Sequence, residues 1–177
     1  MCNFIYTDWK YPIKHYWTVL KGPEKCYEII APIIISIICI IICWLYDGIL
    51  PSILKLRDLL PSALSILIGF TITSITMLVS NESASIKVIK EKKTNDRTIN
   101  GEVISLYQWL LILFIYVLIA QSGLLLLSFL SAIIARIVGN SCILLVVLGV
   151  ETFFLLHIVF LLIRCISYIY FTYFITE

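Results

Sequence analysis

Glu151 is the residue whose position in the sequence most strongly suggests a specific role. It lies in the middle of the apolar run at 148–154 (LGVETFF), and His157 follows six residues later. A charged group at the centre of a membrane-spanning helix costs about 2.5–3.5 kcal/mol on insertion scales, so such a side chain is expected to face protein or water rather than lipid. Two roles stay open: joining helices by hydrogen bonds, or lining a conducting path or subunit interface.

Polar partners for these two side chains are predicted on the apolar run that precedes them. Gly139 and Asn140 separate the two runs, which is typical of a tight turn. Antiparallel pairing about that turn brings intramembrane polar residues opposite each other. The expected neighbours are Ser128 for Glu151, and Ser122, beside Gln121, for His157.

Catalysis finds little support in the residue types and their spacing. The chain has two histidines, and neither lies in an H-E-x-x-H motif; G-x-S-x-G and phosphate-binding glycine motifs are also missing from the sequence. The net charge of +2 is too small to indicate a basic surface for direct nucleic-acid binding. The sequence therefore predicts a protein without catalytic residues, cofactor or bound metal.

The composition explains which elements must position the polar residues. Hydrophobic residues make up 61% of the 177-residue chain and charged residues 14%, whereas soluble domains average about 45–50% and about 25%. Lipid must therefore be the solvent for much of the chain, and only helices or closed barrels satisfy the backbone there. We expect an all-α integral membrane protein with four transmembrane helices at about 29–46, 60–80, 106–135 and 142–163.

The remaining segments follow from these spans. Residues 1–28 and 164–177 are aromatic-rich tails, and 81–105 is a basic loop. The third and fourth spans are predicted to form a long antiparallel hairpin. Ten Lys and Arg residues lie in the two tails and the 81–105 loop, against three in the other connections. The excess of cations on the cytoplasmic side of membrane proteins predicts that both termini face the cytoplasm.

The second span carries a stripe of small and hydroxyl-bearing residues on one helix face. The spacing of three and four residues is helical, and small residues allow close helix approach in lipid. The stripe is expected to be a helix-packing face or a hydrated pore wall. Its members are Ser62, Ser65, Gly69, Thr73, Thr76 and Ser80.

The 81–105 loop collects cations directly after the second span. Basic residues there attract anionic lipid at about 1 kcal/mol each. They are expected either to anchor the topology on lipid or to dock a cytoplasmic protein partner. The residues are Lys87, Lys90, Lys92, Lys93 and Arg97.

The run ALSILIGFTITSITMLVSNES, the basic loop and the run LYQWLLILFIYVLIAQ form a familiar pattern over about residues 60–120. It resembles small four-span bacterial membrane proteins of anti-phage defence systems, such as the membrane subunit of the Kiwa system and the membrane effectors of retron or cyclic-nucleotide-triggered systems. The resemblance implies a non-enzymatic homo-oligomer of the bacterial inner membrane that works with a cytoplasmic partner. The alternatives are a stand-alone ion channel or holin-like pore, and a passive scaffold subunit.

Overall fold

The computed structural model describes residues 8–46, 55, 58–81, 84–137 and 141–174. Most of these residues are helical, in agreement with the predicted fold class. The helices are α1 (Lys10–Val19), α2 (Gly22–Lys25), α3 (Ala31–Leu45), α4 (Leu60–Ser80), α5 (Ala84–Glu91), α6 (Leu106–Ile137) and α7 (Ser141–Phe174), with a π-helical turn at Cys26–Ile30 and strands β1 (Lys93–Ile99) and β2 (Glu102–Ser105).

Four helical segments are long and apolar enough to cross a bilayer, as the composition predicts. They cover Gly22–Leu45, Leu60–Ser80, Leu106–Ile133 and Ile143–Tyr170, with lengths of 24, 21, 28 and 28 residues. At 1.5 Å per residue even the shortest spans about 31 Å, which matches the hydrocarbon core.

The observed bounds differ from the expected ones at the two chain ends. The first span begins at Gly22 instead of residue 29, and α7 continues to Phe174 instead of ending near residue 163. Much of the two predicted tails is therefore helical. The turn of the predicted hairpin, at 138–140, lies outside the described residues, so that arrangement stays a prediction.

The first span contains a local change of helix type with a clear cause in the sequence. Pro32 lies in the first turn of α3, and its missing N–H removes the donor that would normally bond to the Glu28 carbonyl four residues earlier. The chain adopts a π-helical turn at Cys26–Ile30, where the Ala31 N–H donates to the Cys26 carbonyl five residues back.

The predicted loop at 81–105 is folded, which makes the all-α expectation incomplete. Strands β1 and β2 pair antiparallel, with Thr98 opposite Val103 and Ile99 opposite Glu102. Asn100 and Gly101 connect them with φ of +52° and +86°, as a two-residue hairpin turn requires. Helix α5 precedes the strands and contacts β2, while α1 contacts β1.

The chain divides into two compact units. Unit 1 contains residues 1–22, 70–119 and 161–177, and unit 2 contains residues 23–69 and 120–160. The interior of unit 1 is mainly apolar and aromatic, around Trp109, Leu113 and Phe114. Unit 2 also buries polar side chains, namely Glu28, Ser36, Gln121, Ser128, Ser131, Glu151 and His157.

Candidate functional site

The buried polar interior of unit 2 contains Glu151, which is 2% exposed. Its Oε1 accepts a short hydrogen bond from the Ser131 hydroxyl, and that hydroxyl also lies 2.9 Å from the Ser128 carbonyl oxygen. The hydroxyl that reaches Glu151 is therefore one helical turn further along α6 than the predicted one. The contact of Glu151 thus involves position 131 where the sequence predicts position 128.

His157 binds the backbone of the first span. Its Nδ1 lies 2.6 Å from the Glu28 carbonyl oxygen, so the ring N–H donates to that carbonyl. The imidazole is 3% exposed and stacks on Phe153 with ring planes 7° apart. The expected neighbour Ser122 is exposed, so it does not belong to this buried interior.

A second contact between the same two helices involves Ser36 and Gly149. The Ser36 hydroxyl donates to the Gly149 carbonyl oxygen, at a distance of 2.6 Å. A Cβ atom at Gly149 would lie 2.2 Å from Cδ1 and 2.9 Å from Cγ1 of Ile40, so glycine permits close approach of the helices.

These contacts share one antiparallel register. Ser36 follows Glu28 by eight residues, and His157 follows Gly149 by eight residues. The two bonds are therefore separated by the same number of residues on both helices, as antiparallel packing requires. Tyr27 stacks on Phe160 at 4.8 Å between ring centroids and extends the same contact. The structure thus assigns His157 a role in joining helices within unit 2.

Gln121 is the buried polar residue with the least satisfied side chain. It is fully buried, and neither its Oε1 nor its Nε2 has a hydrogen-bond partner among the described residues. It precedes Ser128 by seven residues and Ser131 by ten, so all three lie along one side of α6. An amide in this position is suited to bind water or a polar group, because leaving it unsatisfied costs about 1–3 kcal/mol.

The chemistry available in unit 2 is hydrogen bonding. Across the described ranges, no three His, Cys, Asp or Glu side chains come together as candidate metal ligands. Sequence reasoning missed Ser131, Gly149 and Glu28. Pro32 was the available signal for an irregular turn near Glu28, because a proline within a helix removes a backbone donor.

The small-residue stripe on α4 faces outward. All six predicted residues are exposed, whereas Leu64, Thr71 and Leu78 form the buried side of the helix. At 100° per residue the stripe lies opposite that buried side. Hydroxyls of the stripe bond to carbonyls of their own helix, as in Ser65 to Pro61 and Thr76 to Ile72. Among the residues that the structure describes, the stripe is therefore not a buried packing face.

Arg97 is separated from the four lysines with which it was grouped. Its side chain is 8% exposed. Its guanidinium donates to the Val19 carbonyl and to the Tyr168 hydroxyl, and each donor–acceptor distance is 3.2 Å. The guanidinium also stacks 4.2 Å from the centre of the Trp109 ring. This burial does not fit the expected contact of Arg97 with a partner or with lipid.

The Arg97 contacts join three separate parts of unit 1. Val19 ends α1, Arg97 lies in β1, and Tyr168 lies near the end of α7. Arg164 adds to the cluster, with its guanidinium 5.3 Å from the Trp109 ring centre and 3.3 Å from the Tyr168 hydroxyl. The lysines at 87, 90, 92 and 93 are exposed around this folded core.

Comparison with known proteins adds no identification: no family model, curated protein or solved structure matches the chain.

Proposed function

We propose that this chain is a non-enzymatic, multi-pass subunit of the bacterial inner membrane that acts in antiviral defence. It assembles with copies of itself in the bilayer and couples to a cytoplasmic protein, as a sensor or as a membrane-perturbing effector. The four apolar helices support the membrane location. The pattern of residues 60–120 is the basis for the defence role.

The observation that carries the coupling role is the Arg97 cluster. The N-terminal segment, the 81–105 segment and the C-terminal segment hold most of the cations and are predicted to be cytoplasmic. Arg97 bonds to both Val19 and Tyr168, so these three segments form one folded unit. A folded cytoplasmic surface is better suited to bind a specific partner than a disordered basic loop, because less ordering entropy is lost on binding.

The partner surface is proposed to contain the exposed lysines Lys87, Lys90, Lys92 and Lys93. Replacing all four by glutamine should reduce the recovery of the cytoplasmic partner roughly tenfold, as expected for a loss of about 1.4 kcal/mol in binding. The measurement is co-purification with the products of neighbouring genes, together with protection of cells against phage. Arg97 and Ile89 are retained because both side chains are buried.

The matched control removes four other exposed lysines, which all lie in the N-terminal segment before the first apolar run. Lys10, Lys14, Lys21 and Lys25 lie on or next to the N-terminal helices, and their replacement by glutamine removes the same charge. Recovery of the partner should then change little. Equal losses in both variants would indicate general charge attraction and would reject a specific surface on the 87–93 segment.

Self-association is proposed to use the outward stripe of α4. The six small or hydroxyl-bearing residues form a shallow groove, because Ile66 and Phe70 on one side and Ile72 and Val79 on the other are large and exposed. A helix of a second copy can approach closely there. Replacing Gly69 and Thr73 by leucine should convert the oligomer to a monomer in detergent, measured by light scattering corrected for bound detergent.

The control for this variant changes exposed residues beside the stripe. Ile66→Leu with Ile72→Leu keeps the volume and should leave the mass unchanged. An unchanged mass after Gly69→Leu with Thr73→Leu would exclude the α4 stripe as the interface.

A stand-alone ion channel is the second candidate function. The buried amide of Gln121 and the buried carboxyl group of Glu151 favour it, because both offer polar atoms inside an otherwise apolar bundle. The same purified oligomer decides between the two functions. Ion flux in liposomes without any partner favours the channel, whereas flux only in the presence of the cytoplasmic partner favours the coupled subunit.

A further inference from the structure

Unit 1 contains a cavity of about 190 Å³ where four of its helices meet. Its wall is mainly apolar, with one polar contribution each from Ser74 and Asn81. The apolar wall is formed by Met77, Leu78, Ile86, Ile89, Leu110, Phe114 and Ile169. Met77 is 64% exposed, so the cavity is reached from the surface of α4 and is not sealed inside the protein.

Helix α5 covers this cavity with one face and carries exposed cations beside that face. Ile86 and Ile89 are buried and line the cavity, while Lys87 and Lys90 are exposed. The helix begins four residues after the end of α4, a span-length helix. A short amphipathic helix in this position is typical of the boundary between acyl chains and headgroups.

Lys90 is held close to the cavity. Its Nζ lies 5.1 Å from the centre of the Tyr107 ring. Lys90 follows the cavity residue Ile86 by four positions, and Tyr107 precedes the cavity residue Leu110 by three. Lys90 and Tyr107 are therefore each about one helical turn from a residue that lines the cavity. This places the Lys90 ammonium group beside an apolar cavity that opens to the surface of α4.

We propose that this cavity binds a segment of one acyl chain of an anionic phospholipid, with Lys90 contacting the headgroup phosphate. The apolar wall fits the chain and the ammonium group fits the negative charge, so both ends of the ligand are matched. The proposal rests on the membrane location and cytoplasmic placement of the lysines proposed above. It does not depend on the partner or on antiviral activity.

The test is native mass spectrometry of the full chain in detergent, with phosphatidylglycerol or phosphatidylcholine of identical acyl chains as the probe. The wild-type protein should retain one phosphatidylglycerol per chain in preference to phosphatidylcholine. Lys90→Gln should reduce that preference roughly fivefold. Ser74→Leu, which fills the cavity, should reduce the retention of both lipids.

Two variants serve as controls. Ser167→Leu replaces an exposed serine whose hydroxyl also bonds to a carbonyl of its own helix, and Lys14→Gln removes an exposed lysine from α1. Both should retain lipid as the wild-type protein does. Equal retention of the two lipids by the wild-type protein, or full retention by Ser74→Leu, would overturn the proposal.

A measurement on the wild-type protein covers the case in which a variant fails to fold. Phosphatidylglycerol with a photoreactive group on its acyl chain should label Ile86, Ile89 and Leu110. Labelling confined to exposed α4 residues such as Ile66 and Ile72 would contradict a defined site. If the wild-type protein shows this lipid labelling but recovers no cytoplasmic partner, the coupling role is rejected and the lipid site still stands.

Discussion

Gly149→Ala should lower the thermal unfolding midpoint of the detergent-solubilised protein by several degrees. The new methyl group would lie 2.2 Å from Cδ1 of Ile40, so Ile40 or the whole helix must move. Overpacking of this kind costs about 1–3 kcal/mol, and a domain of 150–250 residues loses about 2–4 °C for each kcal/mol. The same movement would also lengthen the hydrogen bond from the Ser36 hydroxyl to the Gly149 carbonyl.

A second substitution tests this cause. Ile40→Ala removes both atoms that the new methyl group would strike, so Gly149→Ala should cost much less in the Ile40→Ala background than in the wild-type protein. Gly123→Ala is the control, because nothing lies within 4 Å of a Cβ atom at that position. Alanine is the better helix former by about 1 kcal/mol, so Gly123→Ala should be neutral or stabilising. Identical costs in both backgrounds would show that the α3–α7 contact does not limit residue 149.

His157→Phe should also destabilise the protein, by about 1–3 kcal/mol. Phenylalanine preserves the aromatic stacking on Phe153 but cannot donate to the Glu28 carbonyl. The variant therefore isolates the hydrogen bond from the packing of the ring. The measurement is again the unfolding midpoint in detergent.

Pro32→Ala should rescue much of that loss. Alanine restores a backbone N–H at position 32, and this N–H can donate to the Glu28 carbonyl in an ordinary α-helical bond. In the wild-type background the same substitution should have little effect, because His157 already supplies the donor. Additive effects of the two substitutions would mean that His157 stabilises the protein by another route.

The helices that could span a membrane were predictable because their signal is local and large. The second span was predicted at 60–80 and is observed at Leu60–Ser80. Runs of Ile and Leu in lipid leave the backbone few alternatives. The ends of the first and fourth spans were less predictable, because polar and aromatic residues there are compatible with both a tail and a helix.

The hairpin of β1 and β2 had a partial signal in the sequence. Asn100 and Gly101 are typical of a two-residue hairpin turn, and they have the required positive φ values. The flanking residues KTNDRT show no alternation of apolar and polar side chains, so the segment was interpreted as a basic loop. The strands are stabilised by contacts with α1 and α5, which local sequence does not encode.

The polar contacts of unit 2 were predictable in kind but not in detail. Glu151 and His157 were expected to find polar neighbours on the preceding apolar run; Glu151 contacts Ser131 there, whereas His157 binds the Glu28 carbonyl of the first span. Their identities depend on the helix register, and a three-residue error moves a contact by one turn. The orientation of the α4 stripe was also undetermined by periodicity, because periodicity groups residues on one face without showing what that face contacts.

The Arg97 guanidinium has a mechanical consequence. It donates hydrogen bonds to the Val19 carbonyl at the end of α1 and to the Tyr168 hydroxyl near the end of α7. A force that displaces β1 therefore pulls on the first and last helical segments together.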